Sequence, residues 1–90
     1  MTFKELVSSL EPPKDAMQRA LWLVKKGDWD GAHAIVSDVD STIASRIHAH
    51  LHRGEGDLSN ARYWYAQAGV PPVTESLDVE WETLARDLTR

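Results

Sequence analysis

Apolar residues recur at three- and four-residue intervals along most of the chain, the spacing of helices with one buried face. Phe3, Leu6, Val7 and Leu10 make the first stripe. It stops before Pro12-Pro13, because the residue ahead of a proline is turned away from helical angles. Pro13 is placed to open the second helix, since a first-turn residue needs no free N–H. That helix carries Met17, Ala20, Leu21, Leu23 and Val24 and ends at Lys25-Lys26-Gly27, with cations at the negative end of the dipole and a glycine stop. Asp28 caps a third helix over about Trp29 to Ser37. Gly31 inside it costs up to about 1 kcal/mol relative to alanine, which predicts close packing against a neighbour. Asp40 or Ser41 caps a fourth helix with Ile43, Ala44, Ile47 and Leu51 on one stripe, ended by Gly54-Glu55-Gly56. Asp57 caps a fifth, with Leu58, Ala61, Tyr65 and Ala68 on one face and Gly69 closing it. Thr74 or Ser76 starts a sixth, with Leu77, Trp81, Leu84 and Leu88 as its stripe. No segment alternates for long and no hairpin signal occurs, so the expected fold is all-α.

Composition narrows the class. Ninety residues suit one domain, and 42% hydrophobic with 27% charged residues is too apolar for a disordered chain. Cysteine is absent, which removes disulfides, a thiol nucleophile and thiolate metal sites. A net charge of −4 argues against nucleic acid, whose phosphates need a basic field. The longest apolar run, Ala20 to Val24, is far short of a membrane span, and the first residues lack a signal-peptide pattern. The expectation is a cytoplasmic single domain, 1–90, monomeric or a weak homodimer. The Pro-Pro pairs at 12–13 and 71–72 set off a central block, 14–69, from segments 1–13 and 70–90.

The central block repeats itself. Gly27-Asp28-Trp29-Asp30-Gly31-Ala32 parallels Gly56-Asp57-Leu58-Ser59-Asn60-Ala61, and Ala20 and Ala49 each lie seven residues before their glycine. Small residues at these places let two helices approach closely, and Gly-Asp makes the turn and cap between them. The pattern resembles the tetratricopeptide repeat. Its first-helix alanine, Gly-Asp-aromatic turn and second-helix alanine, aromatic and alanine correspond to Ala49, Gly56-Asp57-Leu58, Ala61, Tyr65 and Ala68. The first copy matches at Ala20, Gly27-Asp28-Trp29 and Ala32. The resemblance implies two antiparallel helix pairs in a short right-handed superhelix, with flanking helices as caps, and a protein or peptide partner. The copies depart from the family in their 29-residue spacing, against 34. They also have Ala16 and Ser45 where the family has a large residue, and the first lacks the usual closing proline. The stretch Ile47 to Tyr65 further resembles a group of small uncharacterised bacterial proteins.

The candidate chemistry is histidine-based. His48 and His52 share one face of the fourth helix; His50 points almost opposite, and His33 lies on the helix before. Two histidines four apart need a third ligand to hold zinc, from His33, Asp30 or Glu55. The glutamate of the metalloprotease motif is missing between them. In the resembling family these two positions hold a leucine and a tyrosine that face the partner helix. Shielded imidazoles there need hydrogen-bond partners, with Asp57, Asn60, Tyr63 and Asp28 as candidates. The expected arrangement is a polar network without metal or cofactor. The alternative is a small-molecule- or metal-binding enzyme using a histidine and aromatic pocket around His48 and His52.

Arg46, His50 and Arg53 share the opposite face, which the resemblance implies is concave and able to grip a carboxylate or phosphate of a partner. Tyr63, Trp64 and Tyr65 span too wide an arc to share one core, so Tyr63 or Trp64 is expected at a surface and suits a binding face. No nucleophile context or phosphate loop is present, so no catalytic residue is assigned. The binding candidates are Arg46, His48, His50 and His52, with Arg53, Asn60, Tyr63 and Trp64. The leading expectation is a small protein–protein interaction module.

Overall fold

The computed structural model describes residues 1–89, and these form six helices with no strand: α1 (Phe3–Ser8), α2 (Ala16–Lys25), α3 (Trp29–Ser37), α4 (Thr42–Gly54), α5 (Leu58–Ala68) and α6 (Leu77–Leu88). Each helix starts at a side-chain cap. Thr2 and Glu5 form a reciprocal capping box, and Asp15, Asp28, Ser41, Asp57 and Ser76 each accept the backbone N–H three residues on. The cap at Asp15 corrects the expected start of α2: Pro13 lies outside the helix and is itself buried. Leu10 also lies outside its expected stripe. Ser9 turns extended after α1, which leaves Leu10 91% exposed.

The two Gly-Asp turns are near copies of each other. Gly27 and Gly56 both have φ of 85°, where only glycine avoids strain. Asp28 and Asp57 follow at φ −92°, ψ 77° and φ −88°, ψ 77°. Asp28 accepts from Gly31 N at 2.9 Å and Asp57 from Asn60 N at 3.3 Å. Gly31 is explained by this cap rather than by a neighbouring helix. A Cβ there would lie 2.5 Å from the Asp28 carboxylate, so glycine lets the cap close tightly. Asn60, at the same place in the second turn, goes with the longer bond. Alanine at Asp28 or Asp57 is expected to cost about 0.5–2 kcal/mol, read as a lower urea midpoint. Unchanged midpoints in both variants would contradict the capping role.

Helix α4 is the centre of the molecule. It packs against α2, α3, α5 and α6, and eight of its residues are buried: Ala44, Ser45, Ile47 to Leu51 and His52. Contacts fix the directions. Trp29 meets His52 while His33 meets His48, so α3 runs antiparallel to α4. His52 meets Asn60 while His48 meets Trp64, so α5 does too. Arg46 pairs with Asp87 and Arg53 with Glu80, which sets α6 antiparallel to α4 on another face. Gln18 reaches the Leu88 carbonyl and Trp81 Nε1 donates to the Leu21 carbonyl, so α6 also lies antiparallel along α2.

The main core lies among α1, α2, α3, α4 and α6, around Leu6, Leu21, Ile47, Trp81 and Leu84. A smaller cluster of Ala49, Ala61 and Tyr65 seals α4 against α5, where two alanines allow the close approach. The inner face of α6 is rotated from its expected stripe. Glu80, Trp81, Leu84 and Ala85 are buried, whereas Leu77 is 40% exposed. Among the described residues, no helix is long and apolar enough to cross a membrane.

Candidate functional site

Because α4 is enclosed on several sides, its three histidines are all buried, at 4–6% exposure. Their alternation divides them between two faces with separate partners. On the face toward α3 and α5, His48 Nε2 lies 2.9 Å from His33 Nε2 of α3. His52 Nδ1 donates to Glu55 Oε1 at 2.8 Å, and the Asn60 side-chain amide of α5 lies 3.4 Å from His52 Nε2. Two tryptophans wall the cluster. Trp29 stacks on His33 with centroids 4.7 Å apart, and Trp64 stacks on His48 at 3.8 Å. Trp29 is itself held by an Nε1–H bond to the Leu51 carbonyl.

One imidazole nitrogen from each of His33, His48 and His52 lies within 4.8 Å of those of the other two. His48 Nδ1 is buried and has no hydrogen-bond partner among the described residues. Burial, and then the neighbouring His33 and His52, lower the His48 pKa from 6.5 to about 4, so this ring is neutral at pH 7. Part of the expected network is seen, with other partners and with His48 Nδ1 left without one among the described residues. Asn60 contacts His52 as proposed, but His33 and Glu55 supply the close partners; Tyr63 does not, and Asp28 and Asp57 cap α3 and α5 instead.

The opposite face corrects the expected surface for a partner's carboxylate. Arg46, His50 and Arg53 grip carboxylates of the chain's own α6. Glu80, 4% exposed, accepts from His50 Nδ1 at 2.8 Å, Arg53 Nη1 at 2.8 Å and the Tyr65 hydroxyl at 2.5 Å. Arg53 also donates to the Glu75 carbonyl, and Arg46 pairs with Asp87 at 3.2 Å. Burial works against the charged form of Glu80. The hydrogen bonds from His50 and Tyr65, the His50 charge and the Arg53 hydrogen bond outweigh it and hold the carboxyl below its usual range. Burial and the adjacent carboxylate push the Tyr65 phenol up. Glu80 had no place in the apolar stripe of α6. The signal that could have found it is spacing: Arg46 and Arg53 are seven residues apart, as are Glu80 and Asp87.

Tyr63 is 54% exposed and Trp64 is half-buried, so the aromatic run does divide between surface and interior. Both line a groove of about 560 Å³ between the end of α3, the start of α4 and α5. Its other walls include Val39, Asp38, Asp40 and Gln67. Comparison of the chain with protein-family models, curated proteins and solved structures finds no match.

Proposed function

We propose that the chain is a small tetratricopeptide-like module that binds a protein or peptide and performs no catalysis of its own. The duplicated Gly-Asp turns, with matching backbone angles and alanine-lined helix pairs, support the repeat reading. In such a repeat α2 and α4 would line the concave side, and here α6 lies along both. Its Trp81, Leu84 and Ala85 belong to the main core, so releasing α6 would dismantle that core. A partner is therefore assigned to the outer groove beside Tyr63.

The observation that carries this reading is the composition of that groove. Tyr63 offers an exposed ring, Val39 is 37% exposed, and Asp38 and Asp40 stand exposed on the facing rim. An aromatic floor with two acids suits a segment carrying a lysine or arginine, through ion pairing and cation–π contact.

A photo-crosslinking residue at position 63, introduced in the native cell, is expected to capture a discrete partner. Combined Asp38→Lys and Asp40→Lys changes are expected to abolish the capture. A crosslinker at exposed Glu82, on α6, serves as the comparison site. Capture at position 82 but not at 63, or capture at 63 indifferent to the charge reversal, would overturn the assignment.

A further inference from the structure

We infer that His33, His48 and His52 form a binding site for a divalent transition-metal ion, zinc foremost, joining α3 to α4. This proposal stands on the histidine cluster and does not rest on the partner groove, although Trp64 borders both.

The first argument is convergence. One nitrogen of each ring lies within 4.8 Å of the others, and the His33–His48 pair is already at 2.9 Å. Three imidazole nitrogens around a tetrahedral zinc ion at 2.0–2.1 Å stand about 3.3 Å apart. Small side-chain adjustments therefore bring the set to coordination distance. His48 and His52 are one helical turn apart, with rings stacked at 21° and centroids 5.1 Å apart, so both rings already face the same side.

The second argument is the orientation of the outer nitrogens. Metal-bound histidine characteristically gives its other ring nitrogen to a carboxylate, hydroxyl or carbonyl, which fixes the tautomer. His52 Nδ1 is bound to Glu55, which leaves its Nε2 with a lone pair. His33 Nδ1 lies 3.5 Å from the Ser37 hydroxyl, which leaves Nε2 turned toward His48. In the metal-free chain a single proton is shared between the Nε2 atoms of His33 and His48. The cluster is consequently rich in lone pairs, and the Asn60 amide stands beside it as a further polar donor.

The third argument is the unsatisfied atom. His48 Nδ1 is buried without a partner, so the hydrogen bonds of the metal-free cluster do not account for His48. A metal ion takes the lone pair of one nitrogen of each ring, and the proton between His33 and His48 moves to the nitrogen that faces away from the ion. Trp29 and Trp64 hold two of the ligand rings flat, and Glu55 places negative charge beside the cluster. Of the three ligands His33 is the one left partly exposed, which gives the ion its way in. Imidazole donors without thiolate suit zinc, copper, nickel or cobalt rather than magnesium or calcium.

The test is isothermal titration of the chelator-stripped full chain with zinc chloride, alongside the visible absorption of the cobalt(II) form. One equivalent is expected to bind, with a cobalt spectrum of tetrahedral type. Glu55→Gln is expected to weaken zinc binding about 10–100-fold by releasing the His52 ring. His33→Ala is expected to weaken it at least as much, and Glu82→Gln, at an exposed acid on α6, to leave it unchanged. Circular dichroism shows that each variant is folded, and His33→Asn replaces any alanine variant that is not. Absence of equimolar binding, or unchanged affinity in the folded Glu55 or His33 variant, would overturn the site.

Discussion

Replacing Glu80 with alanine is expected to destabilise the protein by about 3–5 kcal/mol, the range for breaking a buried ion pair from one side. The carboxylate is the shared acceptor of His50, Arg53 and Tyr65, which come from α4 and α5. Its removal strands a partly buried arginine head and two further buried donors. Arg53 keeps its bond to the Glu75 carbonyl, which satisfies one donor without neutralising the charge. A domain of this size has roughly 5–13 kcal/mol in total, so the alanine variant is expected at the margin of folding. Glu80→Gln keeps the shape and one acceptor and is expected to cost about 1.5–3 kcal/mol. Glu82 is the comparison on the same helix. Its pairing with Arg86 is half exposed on both sides, and Glu82→Ala is expected to cost at most about 0.5 kcal/mol. Urea midpoints of the three variants measure this. A Glu80→Gln midpoint equal to that of Glu82→Ala would contradict the account of the α4–α6 joint.

Acidification is expected to remove about 3 kcal/mol of stability through His48 alone. The ring titrates near 6.5 when unfolded and at about 4 in the fold, where burial and then His33 and His52 oppose its charge. Between those values the unfolded chain binds the extra proton, so stability rises with pH across this window. The contribution is complete above about pH 6.5 and is lost as pH falls toward 4. At 1.36 kcal/mol for each pKa unit, the shift gives the stated magnitude. Glu80, whose pKa is also lowered, adds its own loss only where carboxylates begin to protonate. The interval from pH 6.5 to 5 therefore leaves out the carboxylates, and the His48→Gln comparison separates His48 from the chain's other three histidines. Denaturation in chelator-containing buffer is expected to show a steep slope there, and His48→Gln a lower but flatter profile. An equal slope in both proteins would assign the effect elsewhere.

These two sites show what the sequence pattern could and could not convey. Caps and turns were legible because their physics is local. Asp28, Asp57 and the glycines beside them act on groups three residues away, and the bounds of α3 and α5 follow from them. Leu6, Leu21, Ile47, Trp81 and Leu84 were legible because helical spacing alone places them inward. The α6 face was not. A glutamate enters the interior only because His50, Arg53 and Tyr65 await it, 30, 27 and 15 residues away. Hydropathy assigns that place to Leu77, which stays outside. The same limit misled the reading of Arg46, His50 and Arg53. Their charge predicts an acidic counterpart, and periodicity does not say that the chain itself provides it.

The His48 and His52 pairing followed from their four-residue spacing, but the third member depends on how α3 crosses α4. His33 was one of several candidates in sequence, and the antiparallel α3–α4 contact is what sets it against His48. Asn60 was foreseen through the repeat, whereas Glu55 was foreseen only as a ligand and instead steadies the His52 ring. Gly31 carried a correct signal of crowding with the wrong source, since the crowding comes from its own cap.

The most direct measurement of the central claim, a packed three-histidine cluster between α3 and α4 that keeps His48 neutral, is the ring-nitrogen NMR spectrum of the metal-free protein. Long-range proton–nitrogen correlations followed from pH 7.5 to 4 report the tautomer and protonation of each imidazole. His48 is expected to keep a neutral ring until about pH 4, and His52 to carry its proton on Nδ1 at pH 7.5. A His48 ring that protonates near 6.5, like a histidine in water, would contradict the cluster.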